Sequence, residues 1–228
     1  MGTRVSLPAK KVQASNYLKA IQDKYKNIYK ILILVSGFSL IGCQTAHKYN
    51  LESQGSWEAK ALVKDLKQNK NFIVKIDSFL VYGKKMKLEV SSPFGDLLGI
   101  VLLKGRKIEI VNVQERKYYF GKSSPAALKK LLKVAMDPQI FYAIYFDRAL
   151  ENKMWSCTSD DGYLKECMNL KSKLKLTWIS RIGKKKTVLI EHRKVKIQLN
   201  IKNFSPEIKE PEKIFQLRVP RAFRRIRI

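Results

Sequence analysis

Histidine is the scarcest chemistry-bearing side chain in this sequence of 228 residues, with His47 and His192 the two copies present. Neither stands in a recognisable partner motif. Three cysteines, Cys43, Cys157 and Cys167, make neither a C-x-x-C nor a His/Cys cluster of metal-binding spacing. A Gly-x-Ser-x-Gly elbow and a glycine-rich phosphate loop are both missing. Asp160 and Asp161 are adjacent in turn-forming sequence, where neighbouring side chains diverge instead of converging on a substrate. These absences argue against an enzyme and against any resident metal or cofactor. Acid is scarce as well, 19 Asp and Glu against 46 Lys and Arg, a net charge of +27. A bilayer span needs roughly 20 apolar residues, whereas the uncharged apolar run Ile31 to Ile41 has eleven.

That short run sets the context of the chain. Lys19, Lys24, Lys26 and Lys30 precede it, and Leu40-Ile41-Gly42-Cys43 ends it. A basic segment, an apolar stretch of export length and a small residue before a cysteine read as a lipobox, the cleavage and lipidation site of a bacterial lipoprotein. The segment ahead of the run is long for a leader, which totals roughly 15–30 residues. On this reading residues 1–42 are removed and Cys43 carries a diacylglycerol anchor. The competing reading is a short buried helix that happens to end in a cysteine.

Residues 1–42 hold seven basic side chains and one acid, so the remaining 186 residues carry 39 basic and 18 acidic groups, a net of +21. That length suits one domain with a real core. A charge this large points first to nucleic acid. Export argues against that partner and leaves anionic lipid head groups as the natural counter-surface. Many of the cations alternate with apolar residues and simply form a solvated face. Cys157 and Cys167 remain as an even pair around Thr158-Ser159-Asp160-Asp161-Gly162, which is turn chemistry. In an oxidising periplasm they are expected to form a disulfide stapling a hairpin or short loop; in a reducing compartment they stay free thiols.

Residues 43–55 are polar and unpatterned, a tether ahead of regular structure near Trp57. From there the dominant signal has period two. Phe72, Val74 and Ile76 alternate with Ile73, Lys75 and Asp77, and Met86, Leu88 and Val90, then Ile108 and Ile110, and finally Val195, Ile197, Leu199 and Ile201 alternate with polar or charged residues. One apolar and one wet face is the pattern of antiparallel sheets, and about ten to eleven strands are expected. The exception is the middle. Ser123-Ser124-Pro125 offers a cap and an N1 proline to a helix over 126–135, and Asp137-Pro138 restarts a second helical stretch to about Asp147. A sheet this long is expected to curl and be plugged by those helices, giving a mainly β fold, a curved unclosed half-barrel with a greasy interior. By strand parity that interior holds Val74, Ile76, Leu88, Val90, Ile100, Leu102, Ile108 and Ile110, with Phe141 and Tyr145 on the covering helix. Each of these is equally at home as ordinary core.

The stretch Met86-Lys-Leu-Glu-Val-Ser-Ser-Pro-Phe-Gly-Asp-Leu-Leu-Gly-Ile-Val-Leu-Leu103, strand then Pro-apolar-Gly loop then strand, resembles the LolA/LolB lipoprotein-carrier family. Arg106 to Phe120 followed by Ser123-Ser124-Pro125, the helical Pro138 to Phe146, and the strands Lys173 to Ile182 and Lys186 to Phe204 follow the family's order. The resemblance spans residues 56–204 and is nearest to the LolB branch. It implies a barrel with a helical lid, binding acyl chains without catalysis or cofactor. It implies a monomeric receptor that takes lipoproteins from a LolA-like periplasmic carrier and inserts them into the outer membrane. Gln44 agrees with that address, since the family's outward sorting is blocked by an acidic residue after the cysteine. The apolar residue at the tip of the Pro-apolar-Gly loop carries the insertion step in the family; here it is Phe94, between Pro93 and Gly95. Independently, a Pro and a Gly make a tight turn that presents the residue between them, although loop aromatics also fold back into cores. Residues 205–228 extend past the family's end, with 213–219 reading as an added strand before a basic tail. The alternative is a structural or sensor lipoprotein of the envelope with the same sheet and a filled core.

Overall fold

The computed structural model describes residues 53–132, 134–150 and 152–228. The leader, Cys43 and most of the tether lie outside the described residues. Twelve strands form a single sheet: β1 (Gln54–Asp65), β2 (Lys70–Val81), β3 (Lys85–Ser91), β4 (Leu97–Lys104), β5 (Lys107–Asn112), β6 (Lys117–Lys122), β7 (Trp155–Asp160), β8 (Tyr163–Asn169), β9 (Lys175–Ile182), β10 (Lys185–His192), β11 (Val195–Ser205) and β12 (Arg224–Arg227). Their spatial order is β12-β6-β5-β4-β3-β2-β1-β11-β10-β9-β8-β7. Six strands run outward from β1 by short hairpins, and five return to it from the far edge, so β11 pairs with β1 from Ser56–Ser205 to Asp65–Val195. All pairings are antiparallel except β12 on β6. The edges β12 and β7 do not pair, and the barrel stays open.

The sheet must be curved. Laid flat, twelve strands at about 4.8 Å spacing would be some 50 Å wide. Strand twist accumulates over a sheet this wide and curls it, and one core cluster from Tyr119 on β6 to Trp155 on β7 lines a single face together with residues of both connecting helices. The strand registers put the apolar set of each strand on this concave face: Ala59 faces Ile76 and Ile201, and Leu88 faces Val101. Lysines such as Lys60, Lys75 and Lys196 take the other parity and remain in solvent, which accounts for much of the charge.

Two helices join β6 to β7, carrying the chain from one wing of the sheet to the other. α1 (Pro125–Leu132) ends earlier than the expected residue 135, and α2 (Ile140–Phe146) is confined to seven residues, all of them buried. A helix apolar all round belongs inside, and α2 lies in the hollow of the sheet. It stops at Asp147, which adopts the left-handed conformation at φ 53°.

The C-terminal stretch departs from expectation. Residues 213–219 do not add a strand. Pro211 opens a single helical turn, α3 (Pro211–Ile214), and Ile208, Ile214, Phe215 and Leu217 then pack against Phe79, Val81 and Leu102 on the convex face. The added strand lies further on, where Arg224–Arg227 pairs with Lys117–Phe120. The basic tail is therefore a strand, with its arginine side chains exposed.

Candidate functional site

The concave face gathers most of the residues that strand parity assigns to an interior. Val74, Leu88, Ile108 and Ile110 are buried there, and Ile76 and Val90 are partly buried beside them. Ile100 and Leu102 do not join them. The β3–β4 register sets Leu88 against Val101 and Met86 against Leu103, so the inward residues of β4 are the odd ones. Leu102 is buried on the convex face beneath the C-terminal segment. Alternation carried no signal in β4 because both of its faces are covered and both are apolar.

Phe141 and Tyr145 lie on α2, 7% and 0% exposed. Tyr145 packs against Trp57 in a tilted arrangement with ring centroids 5.1 Å apart, while Phe146 meets the edges of Trp57 and Tyr82 at 5.2 and 5.4 Å. Such pairs add about 0.5–1.5 kcal/mol each beyond area burial. Ser78 Oγ–H donates to the Tyr145 hydroxyl at 2.6 Å. Burial pushes the Tyr145 phenol well above its ordinary value and keeps it neutral.

A polar latch that sequence reading missed closes the C-terminal end of α2. Lys186 Nζ donates to the Tyr145 carbonyl at 2.8 Å and to Asp147 Oδ2 at 2.9 Å, and Arg181 donates to Asp147 Oδ1 at 2.7 Å. The first of these satisfies a carbonyl that the helix end leaves unpaired, and a cation there also complements the helix dipole. Lys186 is 5% exposed. Burial, offset by Asp147, pulls its ammonium down to about 8. A lysine at an inward parity position of β10 was the available signal, since Lys186 pairs with the inward Ile201.

Two pockets are found among the described residues. One of about 380 Å³ lies beside α2, among Tyr82, Asp137, Tyr142, Arg148 and Trp155. Another of about 280 Å³ lies at the β9–β11 surface near Lys60, Lys186 and Asn200. Among the described residues, no group of three His, Cys, Asp or Glu side chains is placed to hold a metal ion, and no helix is long and apolar enough to cross a membrane.

The loop between β3 and β4 has a different character. Gly95 N–H donates to Ser92 O at 3.0 Å, closing a four-residue turn with Pro93 at its second position and Gly95, at φ 101°, at its fourth. Ser92 Oγ accepts from the N–H groups of Phe94 and Asp96 and donates to Asp96 Oδ2. Ser92 N–H donates to Asp96 O. The turn is held by its own polar groups, and Phe94 stands out of it 93% exposed. Cys157 and Cys167 face each other in the β7–β8 register and are disulfide-bonded.

No protein-family model and no curated protein matches the chain. Solved structures do align with it at very low identity. A LolA superfamily protein from Nitrosomonas europaea covers 73% of this chain and 91% of its own, at 8% identity and a TM-score of 0.49. A conserved protein of unassigned function from Thermus thermophilus covers 78% and 93%, at 8% identity and 0.41. A proposed outer membrane lipoprotein-sorting protein domain from Vibrio parahaemolyticus covers 72% and 89%, at 9% identity and 0.40. The fold and the site stand on the geometry above.

Proposed function

We propose that this protein is an outer-membrane lipoprotein receptor, anchored through Cys43 and facing the periplasm. It takes acyl chains from a periplasmic carrier onto its concave apolar face and passes them to the bilayer, with no catalytic step. The observation that carries this reading is Phe94. A large aromatic held 93% exposed by a self-bonded turn serves no packing purpose, and transfer from water to lipid gains roughly 1.5–3 kcal/mol. That is enough to dip a loop and too little to anchor a domain, so the anchor and the loop have separate tasks. The driving force for a client is the burial of its chains, about 0.8 kcal/mol per methylene. The experiment is depletion in cells with lipoprotein localisation as readout. Lipoproteins are expected to accumulate away from the outer membrane, rescued by wild type and not by Phe94→Glu. Unchanged localisation on depletion removes the reading.

A second reading is favoured by one observation, the filled hollow. With α2 wholly buried in the hollow, the protein's own helix occupies part of the concave face, the filled core expected of a structural or sensor lipoprotein. The two readings part on whether α2 moves.

A further inference from the structure

The end of the sheet that carries Phe94 carries more. β3 runs parallel to β1, both being antiparallel to β2, so the β3–β4 loop and the β1–β2 hairpin project from the same end. Ser91 pairs with Lys75, and β2 continues past it for the residues Lys70 to Val74, flanked by the Phe94 loop. This projecting hairpin is apolar in an unusual way. Leu66, Phe72 and Ile73 are 53%, 50% and 52% exposed. Phe72 lies opposite Val63 on the concave side, whereas Ile73 lies opposite Leu62 on the convex side. An antiparallel hairpin in water keeps one face polar; here both carry large exposed hydrocarbon.

The same end concentrates cations. Lys64, Lys67 and Lys70 lie on the hairpin, and Leu66 N–H donates to Lys194 O at 3.0 Å, which ties in the β10–β11 turn with Arg193. Lys67, Arg193 and Lys129 of α1 sit close enough to push the Lys194 ammonium below its ordinary value. Lys67, Lys70, Arg193 and Lys194 form no ion pair among the described residues. The opposite end also carries exposed cations, Lys84, Lys104, Arg106 and Lys184 among them. It exposes Ile182 at its tip and Tyr163 at 38%, but there cations lie over the aromatic rings, Arg181 over Tyr163 at 4.5 Å and Lys184 over Phe204 at 5.0 Å.

We propose that the β1–β2 hairpin is a second membrane-contacting element, which docks beside the Phe94 loop on an anionic bilayer surface. Leu66, Phe72 and Ile73 enter the head-group boundary, and Lys67, Lys70, Arg193 and Lys194 meet the lipid phosphates. Aromatic tips ringed by cations are the composition of an interfacial anchor, and two contact points fix an orientation that one loop cannot. The open end of the concave face, where Phe72 and Val63 lie, then points at the lipid. The inference rests on the reading of Phe94 as a lipid contact and adds a separable element to it.

The test uses the processed chain from residue 43 onward carrying Cys43→Ser, so that neither the apolar leader nor acylation itself delivers the protein, with vesicles of brominated phosphatidylglycerol. Tryptophan is introduced singly as Phe72→Trp, Phe94→Trp or Ile182→Trp, and quenching is read against the background of the native tryptophans. Quenching above background is expected for Phe72→Trp and Phe94→Trp, and none for Ile182→Trp. It is expected to fall by half or more with phosphatidylcholine, in 0.5 M salt, or on adding Lys67→Glu and Lys194→Glu. Quenching at Phe94→Trp without quenching at Phe72→Trp overturns the hairpin and leaves the Phe94 reading standing. Quenching at neither overturns both. Quenching at Ile182→Trp alone puts the opposite end on the membrane and overturns the proposed orientation. Phe72 is half exposed, so a tryptophan is accommodated there without disturbing the core.

Discussion

Lys186 illustrates how much one side chain decides here. It occupies an inward position in a strand, yet it is not a misplaced surface cation. Its two contacts, with the Tyr145 carbonyl and the Asp147 carboxylate, hold the end of α2 to β10. Removing one partner of such a group leaves buried charge uncompensated, which costs about 3–5 kcal/mol, whereas an apolar replacement of similar size is often tolerated. Asp147→Ala is therefore expected to lower the denaturation midpoint strongly, and Lys186→Met much less, both read by chemical unfolding. The pH dependence has a definite sign. Lys186 titrates at about 8 when folded, against 10.5 when unfolded, so between those values the unfolded chain binds more protons. The cost of burying the charge is full below about 8, shrinks as pH rises, and is gone above about 10.5. Wild type is expected to gain stability relative to Lys186→Met over that window, and a flat difference between the two refutes the assignment.

At the scale of elements, the edges of the sheet are managed differently. β12 lies along β6 with the Ile228 carbonyl against Gly121, where an added Cβ has no room. The edge it covers would otherwise offer unpaired backbone groups to other chains. Gly121→Ala is expected to unseat β12, which hydrogen exchange reads as lost protection at Ile226 and Ile228, with a stability loss of about 1–3 kcal/mol. If those amides stay protected, the close approach is not what seats the strand. The β7 edge has no covering strand among the described residues and is instead braced by the Cys157–Cys167 bond to β8. A closed loop this short contributes roughly 2–3 kcal/mol in the chain-entropy account.

For the whole molecule the question is whether its hollow can be emptied. The sheet is large, its concave face is apolar, and a seven-residue helix fills it, held by aromatic contacts and a latch at one end. Acyl binding at that face requires α2 to leave. Adding a soluble fatty-acyl probe is then expected to raise amide exchange across residues 140–146 while leaving β1 protected. Displacement is expected to be easier in Asp147→Ala than in wild type. No change in exchange, with the probe unbound, supports the structural or sensor reading instead.

Alternation of polar and apolar residues was enough to read an antiparallel sheet, because each outward side chain in Val195–Ile201 meets water and is polar for that reason. The Ser-Ser-Pro and Asp-Pro signals likewise located both helices, since caps and prolines act within a few residues. Pro93-Phe94-Gly95 was legible as a turn on the same ground, although only the fold decided that Phe94 points away from the core. What depends on distant segments was not legible. The parity of β4 failed because residues more than a hundred positions later cover its second face. The end of the chain read as a strand over 213–219 before a basic tail, because its apolar spacing says nothing of the surface that receives it. The latch of Lys186, Asp147 and Arg181 joins positions 34 to 39 apart, and its one local trace, a lysine at an inward position of β10, does not name its partners. The sequence by itself determined which residues alternate, turn and cap; the tertiary structure decided which face is covered, what fills the hollow, and which apolar residues are left for a membrane.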